Sequence, residues 1–259
     1  MLIAQLSDTH LRVGPLAGDA AGQLHRALGR VLGLRPVPDC VVVTGDVADT
    51  GAPEEYEAFR SVVAGFPIPI HLAAGNHDSA AAMVEAFAGT PFLGGGSASS
   101  YVVDYPSARL IVLDSSVPGA LGGTLDDGQL AWLDRTLGKR SEVPALVCLH
   151  HPPIAVGIAF LDGIGLTNPE SLQPIVAAHP NIRRILAGHV HRTITGSFAG
   201  VPVTIAPSTY RQAVLALDTE EPTGYAHEPP GFLLHLVTGG DCVTHLVPTV
   251  LSGDVVGHF

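Results

Sequence analysis

The chain has 259 residues, 46% of them hydrophobic and 14% charged, so it is long and apolar enough to bury a substantial core rather than remain disordered. A formal net charge of -11, with Lys139 as the single lysine, leaves no basic surface for a nucleic-acid polymer. Apolar stretches are strand-sized and broken by Gly, Pro and Asp, so no membrane span is expected. The first residues, "LIAQLSD", carry no basic leader pattern. Cys40, Cys148 and Cys242 lie far apart inside apolar runs, which fits unpaired thiols in a reducing compartment. The expected location is cytoplasmic.

In chain order, Leu2–Leu6 reads as a strand and Ala20–Leu34 as a helix with Leu24, Leu28, Val31 and Leu32 on one side. "DCVVVTGD" is a continuous β-branched run, as expected for a strand buried on both faces. "PEEYEAFRSVVAG" opens a helix at Pro53 and ends at Gly65. "IPIHLAAGNHD" is a strand, followed by a helix over Ser79–Phe87. "YVVDY" and "ARLIVLDSS" pair as a hairpin around Pro106-Ser107. A helix over Asp126–Leu137, the strand "VPALVCLHHPP", a helix over Pro169–Ala178 and the strand "IRRILAGHVH" follow. The remaining third, from "ITGSFAG" to "CVTHLVP", is strand-rich with short Gly-containing turns. Helix-alternating strands followed by a β-rich tail predict two packed sheets flanked by helices, in one domain over residues 1–259.

Five strands end in side chains that bind cations. They are "LSDTH" with Asp8 and His10, "VTGDVAD" with Asp46 and Asp49, "AAGNHD" with Asn76, His77 and Asp78, "CLHHPP" with His150 and His151, and "AGHVH" with His189 and His191. Each alone has a plain structural explanation: an aspartate capping a turn, Asn-His-Asp opening a helix, His-His before a Pro-Pro loop. Together they imply one site, because ligands in open α/β sheets bind outside the carboxyl ends of the strands. Residues i and i+2 of a strand point the same way about 6.6 Å apart, so two neighbouring ions can take one histidine each from His189 and His191.

The ordered set D-x-H, G-D, G-N-H-D, H and G-H-x-H, running from residue 8 to 191, resembles the calcineurin-like metallophosphoesterases. The short D-x-H with intact G-N-H-D and G-H-x-H is most similar to the class III branch, whose members hydrolyse cyclic nucleotides and glycerophosphodiesters. The resemblance implies a four-layer α/β/β/α sandwich of two mixed β-sheets flanked by helices. It also implies a binuclear centre: Asp8, His10, Asp46 and His191 on one ion, and Asp46, Asn76, His150 and His189 on the other. The N and O donors suit Fe, Mn, Zn or Co.

The expected chemistry is in-line attack on a small phosphodiester by a hydroxide bridging the two ions. His77 matches no ligand position. It is the expected general acid, or a phosphoryl contact alongside Asn76, with Asp49 or Asp78 as its orienting partner. Arg211 in "PSTYRQ" is a further candidate substrate contact, and His151 is expected beside the ligands. The long apolar segment "AVGIAFLDGIGLTN" is expected to form a rim or a dimer contact, and a homodimer or larger homo-oligomer is expected. His25, His71, His179, His227, His235, His245 and His258 carry no motif, and of these His227 in "GYAHEPPGF" is the candidate for proximity to the site. A phosphomonoesterase or protein phosphatase would want arginines near the motifs to hold a dianion, and none cluster there. A non-catalytic module on this fold would show eroded ligands; here all are present.

Overall fold

The computed structural model describes residues 1–15, 17–218 and 223–250. His258 lies outside them. Two mixed sheets form the body of the protein. The first is built on β1 (Leu2–Leu6), β2 (Cys40–Thr44) and β3 (Ile70–Ala73), which run parallel. The antiparallel pair β12 (Gly231–Thr238) and β13 (Asp241–Pro248) extends this sheet beyond β1, giving the order β13-β12-β1-β2-β3.

The second sheet has the order β4-β5-β6-β7-β9-β8. Its members are β4 (Tyr101–Asp104), β5 (Arg109–Val112), β6 (Ala145–Cys148), β7 (Ile182–Ala187), β8 (Ile194–Phe198) and β9 (Val201–Ile205). β5, β6 and β7 are parallel, and β4–β5 is the expected hairpin, closed by Tyr105 N–H to the Ala108 carbonyl at 2.9 Å.

The period of two along each strand decides the layering. Leu110, Val112, Leu146, Cys148 and Leu186 of the second sheet pack into one core with Ile3, Val41 and Val43 of the first. That core continues to the helices α1 (Ala17–Leu32), α2 (Pro53–Val62) and α3 (Ala80–Phe87), through Leu24, Leu28, Phe59 and Phe87. The alternate residues Ile111, Val147 and Ile185 face a second core with Leu130, Leu133 and Leu137 of α4 (Asp127–Gly138) and Leu172 and Val176 of α6 (Pro169–Ala178). Helix, sheet, sheet, helix is the expected four-layer sandwich.

Three details differ from the sequence reading. α1 begins at Ala17 rather than Ala20. The apolar segment before α6 carries a one-turn helix, α5 (Ala159–Asp162), stapled at its base by Gly123 N–H to the Gly165 carbonyl and Thr167 N–H to the Gly123 carbonyl, at 3.0 and 2.8 Å. The tail adds a two-residue pair, β10 (Gln212–Ala213) with β11 (Tyr225–Ala226), running alongside the strand ends. No helix among the described residues is long and apolar enough to cross a membrane.

Candidate active site

The carboxyl ends of β1, β2, β3, β6 and β7 deliver their polar residues to one place. Asp8, His10, Asp46 and His191 bring ligand atoms within 4.8 Å of one another, all four buried. His191 Nε2 lies 3.3 Å from Asp8 Oδ1 and 3.1 Å from His10 Nε2, and His10 Nε2 lies 3.7 Å from Asp46 Oδ2. The other Asp46 oxygen, Oδ1, faces a second set: His150 Nε2 at 3.4 Å, itself 3.0 Å from Asn76 Oδ1, which is 2.9 Å from His189 Nδ1. The carboxylate of Asp46 thus stands between two four-membered groups, which are the two sets the motifs imply.

The backbone reaches this arrangement by a route the sequence did not reveal. The fork of His189 and His191 was expected from strand alternation, but β7 stops at Ala187 and both histidines take left-handed φ, at 70° and 55°. Asp8, His10 and Asp46 do the same, at 52°, 45° and 49°. Such conformations are uncommon for residues with a side chain, and persist only where the surroundings over-determine them. Gly45, at φ 95°, packs so tightly that a Cβ there would sit 2.2 Å from His150 Nδ1. A Cβ on Gly75 would sit 2.2 Å from Asp46 Oδ1. Glycine is required at both points to let the strand ends close on one another.

The outer hydrogen bonds fix the tautomers. His150 Nδ1–H donates to the Thr44 carbonyl at 2.8 Å, and His191 Nδ1–H donates to the Arg211 carbonyl at 2.7 Å. His10 Nδ1 faces Asp49 Oδ1 at 3.3 Å, and Asp49 is also paired with Arg12. Each ring therefore turns Nε2 inward, the arrangement found behind metal-binding histidines. His10 Nε2 and His191 Nε2 face each other at 3.1 Å, and Asp8 Oδ2 is buried with no hydrogen-bond partner. Converging acceptors without a donor are costly unless a cation lies among them, so the residues present fit a pair of metal ions.

The charges respond to this crowding. Burial opposes ionisation of Asp46, but His150 and His10 outweigh it and hold the carboxyl well below its usual range. Asp8 is lowered likewise, by His191 against burial. Burial works against protonation of His150, yet Asp46 and Asp8 push it up to about 9, and Asp8 raises His191. His189, buried and next to His150, is pushed down to about 3.

His151 brings a ring nitrogen within 4.8 Å of those of His150 and His189. Its Nδ1 meets the Ser115 hydroxyl at 2.8 Å and its Nε2 meets the Leu121 carbonyl at 3.1 Å, so both nitrogens are engaged. Burial and the neighbouring His150 push it down to about 2, and it stays neutral against the rings of His150 and His189.

His77 borders the cavity above the donors. Its amide donates to Asp46 Oδ1 at 2.9 Å and its Nδ1 lies 2.7 Å from the main-chain carbonyl of Asp49. Neither carboxylate expected to orient this ring does so. Asp49 turns its side chain to His10 and Arg12. Asp78 points inward and accepts the amides of Val47, Ala48 and Gly75 at 2.9–3.0 Å and the Tyr56 hydroxyl at 3.2 Å, stapling two ligand loops together. Burial and the nearby Asp46 raise its carboxyl to about 7.

The Arg211 guanidinium lies over the rings of Tyr210 and Tyr225, 4.4 and 5.5 Å from their centroids, and donates to the Tyr210 hydroxyl at 2.6 Å. It borders a neighbouring groove with His227 rather than the cavity over the donors. Two contributors carry no motif: Arg12, which alternates with Asp8 and His10, and Tyr225, whose ring is 5.7 Å from that of His191. Tyr225 lies in "GYAHEPPGF", the stretch of His227.

The cavity has a volume of about 310 Å³. Its floor is Asn76, His77, His189 and His191, and its walls come from α5 and its flanks, Leu121, Val190, Ala213, Val214, Thr223, Gly224 and Tyr225.

The calcineurin-like phosphoesterase family matches residues 1–193. The chain is 33% identical to a glycerophosphodiester phosphodiesterase, GpdQ, of Enterobacter lignolyticus, over 95% of this chain and 90% of that one. It is 35% identical to the 3',5'-cyclic adenosine monophosphate phosphodiesterase CpdA of Pseudomonas aeruginosa, over 81% and 76%. Among solved structures it is similar to a dimetal phosphatase from Danio rerio, with a TM-score of 0.71 at 15% identity over 96% of each chain, a likeness of fold. The chain belongs to the calcineurin-like phosphoesterase family.

Proposed function

We propose that this protein is a metal-dependent phosphodiesterase acting on small phosphodiesters, a 3',5'-cyclic nucleotide or a glycerophosphodiester. The observation that carries the reading is the pair of donor sets sharing Asp46 beneath the cavity. Asp8, His10, Asp46 and His191 would hold one ion, and Asp46, Asn76, His150 and His189 the other. Bound there, two ions lower the pKa of water and offset the charge of the phosphoryl oxygens. The diester reading is supported by the cavity lining, which among the described residues has no lysine or arginine to neutralise the second charge of a monoester dianion.

The chain's own residues supply the rest. The Asn76 side chain and the His77 ring bind and orient the phosphoryl group. With Nδ1 held by the Asp49 carbonyl, His77 presents Nε2 to the cavity and gives its proton to the departing alkoxide as the ester P–O bond breaks and water oxygen bonds to phosphorus. Arg211 contributes charge at the neighbouring groove. One domain, a cytoplasmic location and a homo-oligomer complete the reading; the free thiols Cys40, Cys148 and Cys242 support the second of these.

The test is hydrolysis of bis-p-nitrophenyl phosphate against p-nitrophenyl phosphate by metal-reconstituted protein, with Asp46→Ala alongside. Preference for the diester, abolished in the variant, is expected. No hydrolysis of either ester removes the enzymatic reading, and preference for the monoester overturns the diesterase. His77→Ala is expected to lower kcat by roughly 100- to 10,000-fold with metal content retained.

A further inference from the structure

We infer that the cavity wall made by Phe160 and Tyr225 is a binding site for an apolar, planar ester arm, so that an aryl or similarly flat substituent is accepted in preference to a polyol. This rests on the phosphodiesterase reading and narrows it. Leu121, Phe160 and Tyr225 all line the cavity, yet they are 52%, 51% and 57% exposed. Large apolar side chains left open around a single concavity mark a surface that something covers.

The wall adjoins the chemistry directly, since the Tyr225 ring is 5.7 Å from that of His191. It is also short of hydrogen-bonding groups. Apart from the side chains of the proposed metal centre and His77, the polar side-chain groups of the lining among the described residues are the hydroxyls of Thr223 and Tyr225. The one carboxylate of the α5 turn, Asp162, is spent on its own backbone, accepting the amides of Val156 and Gly157 at 2.6 and 3.0 Å. A glycerol arm would surrender hydration of its hydroxyls without partners, which costs free energy for each group left unpaired. A flat apolar arm gains by covering Phe160 and stacking on Tyr225.

The experiment compares two diesters with a common p-nitrophenyl leaving group, one carrying phenyl and one glyceryl as the second arm, on metal-reconstituted full-length protein. A phenyl preference of about tenfold in kcat/KM is expected, and Phe160→Ala and Tyr225→Ala should each narrow it through KM for the phenyl ester. Calorimetric titration with phenyl methylphosphonate and glyceryl methylphosphonate reads the wall without turnover, and tighter binding of the phenyl compound is expected. Failure to hydrolyse any diester would therefore defeat the enzymatic reading, while this titration would still decide the wall. Equal or better use and binding of the glyceryl compounds overturns the inference. So does a Phe160→Ala variant whose solution mass changes while the phenyl-to-glyceryl ratio does not, since the apolar rim would then be a contact between copies.

Discussion

Removing the charge of Asp49 without its volume separates the two roles this residue could have. Its carboxylate is 3.3 Å from His10 Nδ1 and pairs with Arg12, and His10 and Arg12 hold it at about 2 against the opposing effect of burial. A hydrogen bond to a charged partner contributes about 1.5–3 kcal/mol. Charged partners give roughly twice the strength of neutral ones, so Asn, which keeps an acceptor in place, should lose about 1 kcal/mol. Metal affinity at the site of Asp8, His10, Asp46 and His191 should then fall roughly fivefold in Asp49→Asn. In Asp49→Ala, which loses the bond altogether, the fall should be about 10- to 100-fold.

The signature is asymmetry, because His150, His189 and Asn76 make no contact with this carboxylate. Competition titration of Mn²⁺ or Zn²⁺ against a chromophoric chelator resolves the two sites. Equal weakening of both, or no change in Asp49→Ala, would refute the assignment. The main-chain carbonyl that holds His77 survives both substitutions, so the pH profile of kcat should keep its shape. A displaced acidic or basic limb would mean that the carboxylate acts on His77 after all.

Gly75→Ala removes no ligand, yet its Cβ would fall 2.2 Å from Asp46 Oδ1 and 2.9 Å from His150 Cε1. Turnover should drop by at least about 100-fold while the far-ultraviolet circular dichroism is preserved, a misplacement effect. His189→Ala and His191→Ala should each lose about one metal equivalent per chain, from different sites, as measured by metal analysis after dialysis; depletion of the same site in both would defeat the shared-carboxylate arrangement. His235, buried between Gln5 and Thr244, is pushed down to about 3, first by burial and then by Arg184. Its folded pKa is below its unfolded value near 6.5, so stability is lost as pH falls below 6.5 toward 3, by up to ~1.4 kcal/mol per pH unit. Urea titrations of His235→Gln should show a shallower acid-side slope than the parent by about that amount, and an identical slope would disprove neutral burial.

What the sequence determined by itself was local: the kind of element, the strand ends and the residues on them. Period-two and period-3.6 patterning predicted the two-sheet sandwich because burial of a sheet face or helix stripe is written along the chain. Asp8, His10, Asp46, Asn76, His150, His189 and His191 were legible because each sits in a short motif next to a glycine or a strand end. The tertiary structure decided which side chain answers which. Asp49 and Asp78 both looked free to orient His77, and nothing in "GDVAD" or "GNHDS" says that one turns to His10 and the other is consumed by three backbone amides. The fork of His189 and His191 survived on left-handed backbone instead of strand alternation, at a turn where Gly188 lies so close to Ser7 and Thr44 that a Cβ there would sit 2.1 Å from Ser7 Oγ. The cavity wall was invisible for the same reason. Phe160 and Tyr225 are 65 positions apart in sequence, and burial, charge and hydrogen bonding act between neighbours in space, not along the chain.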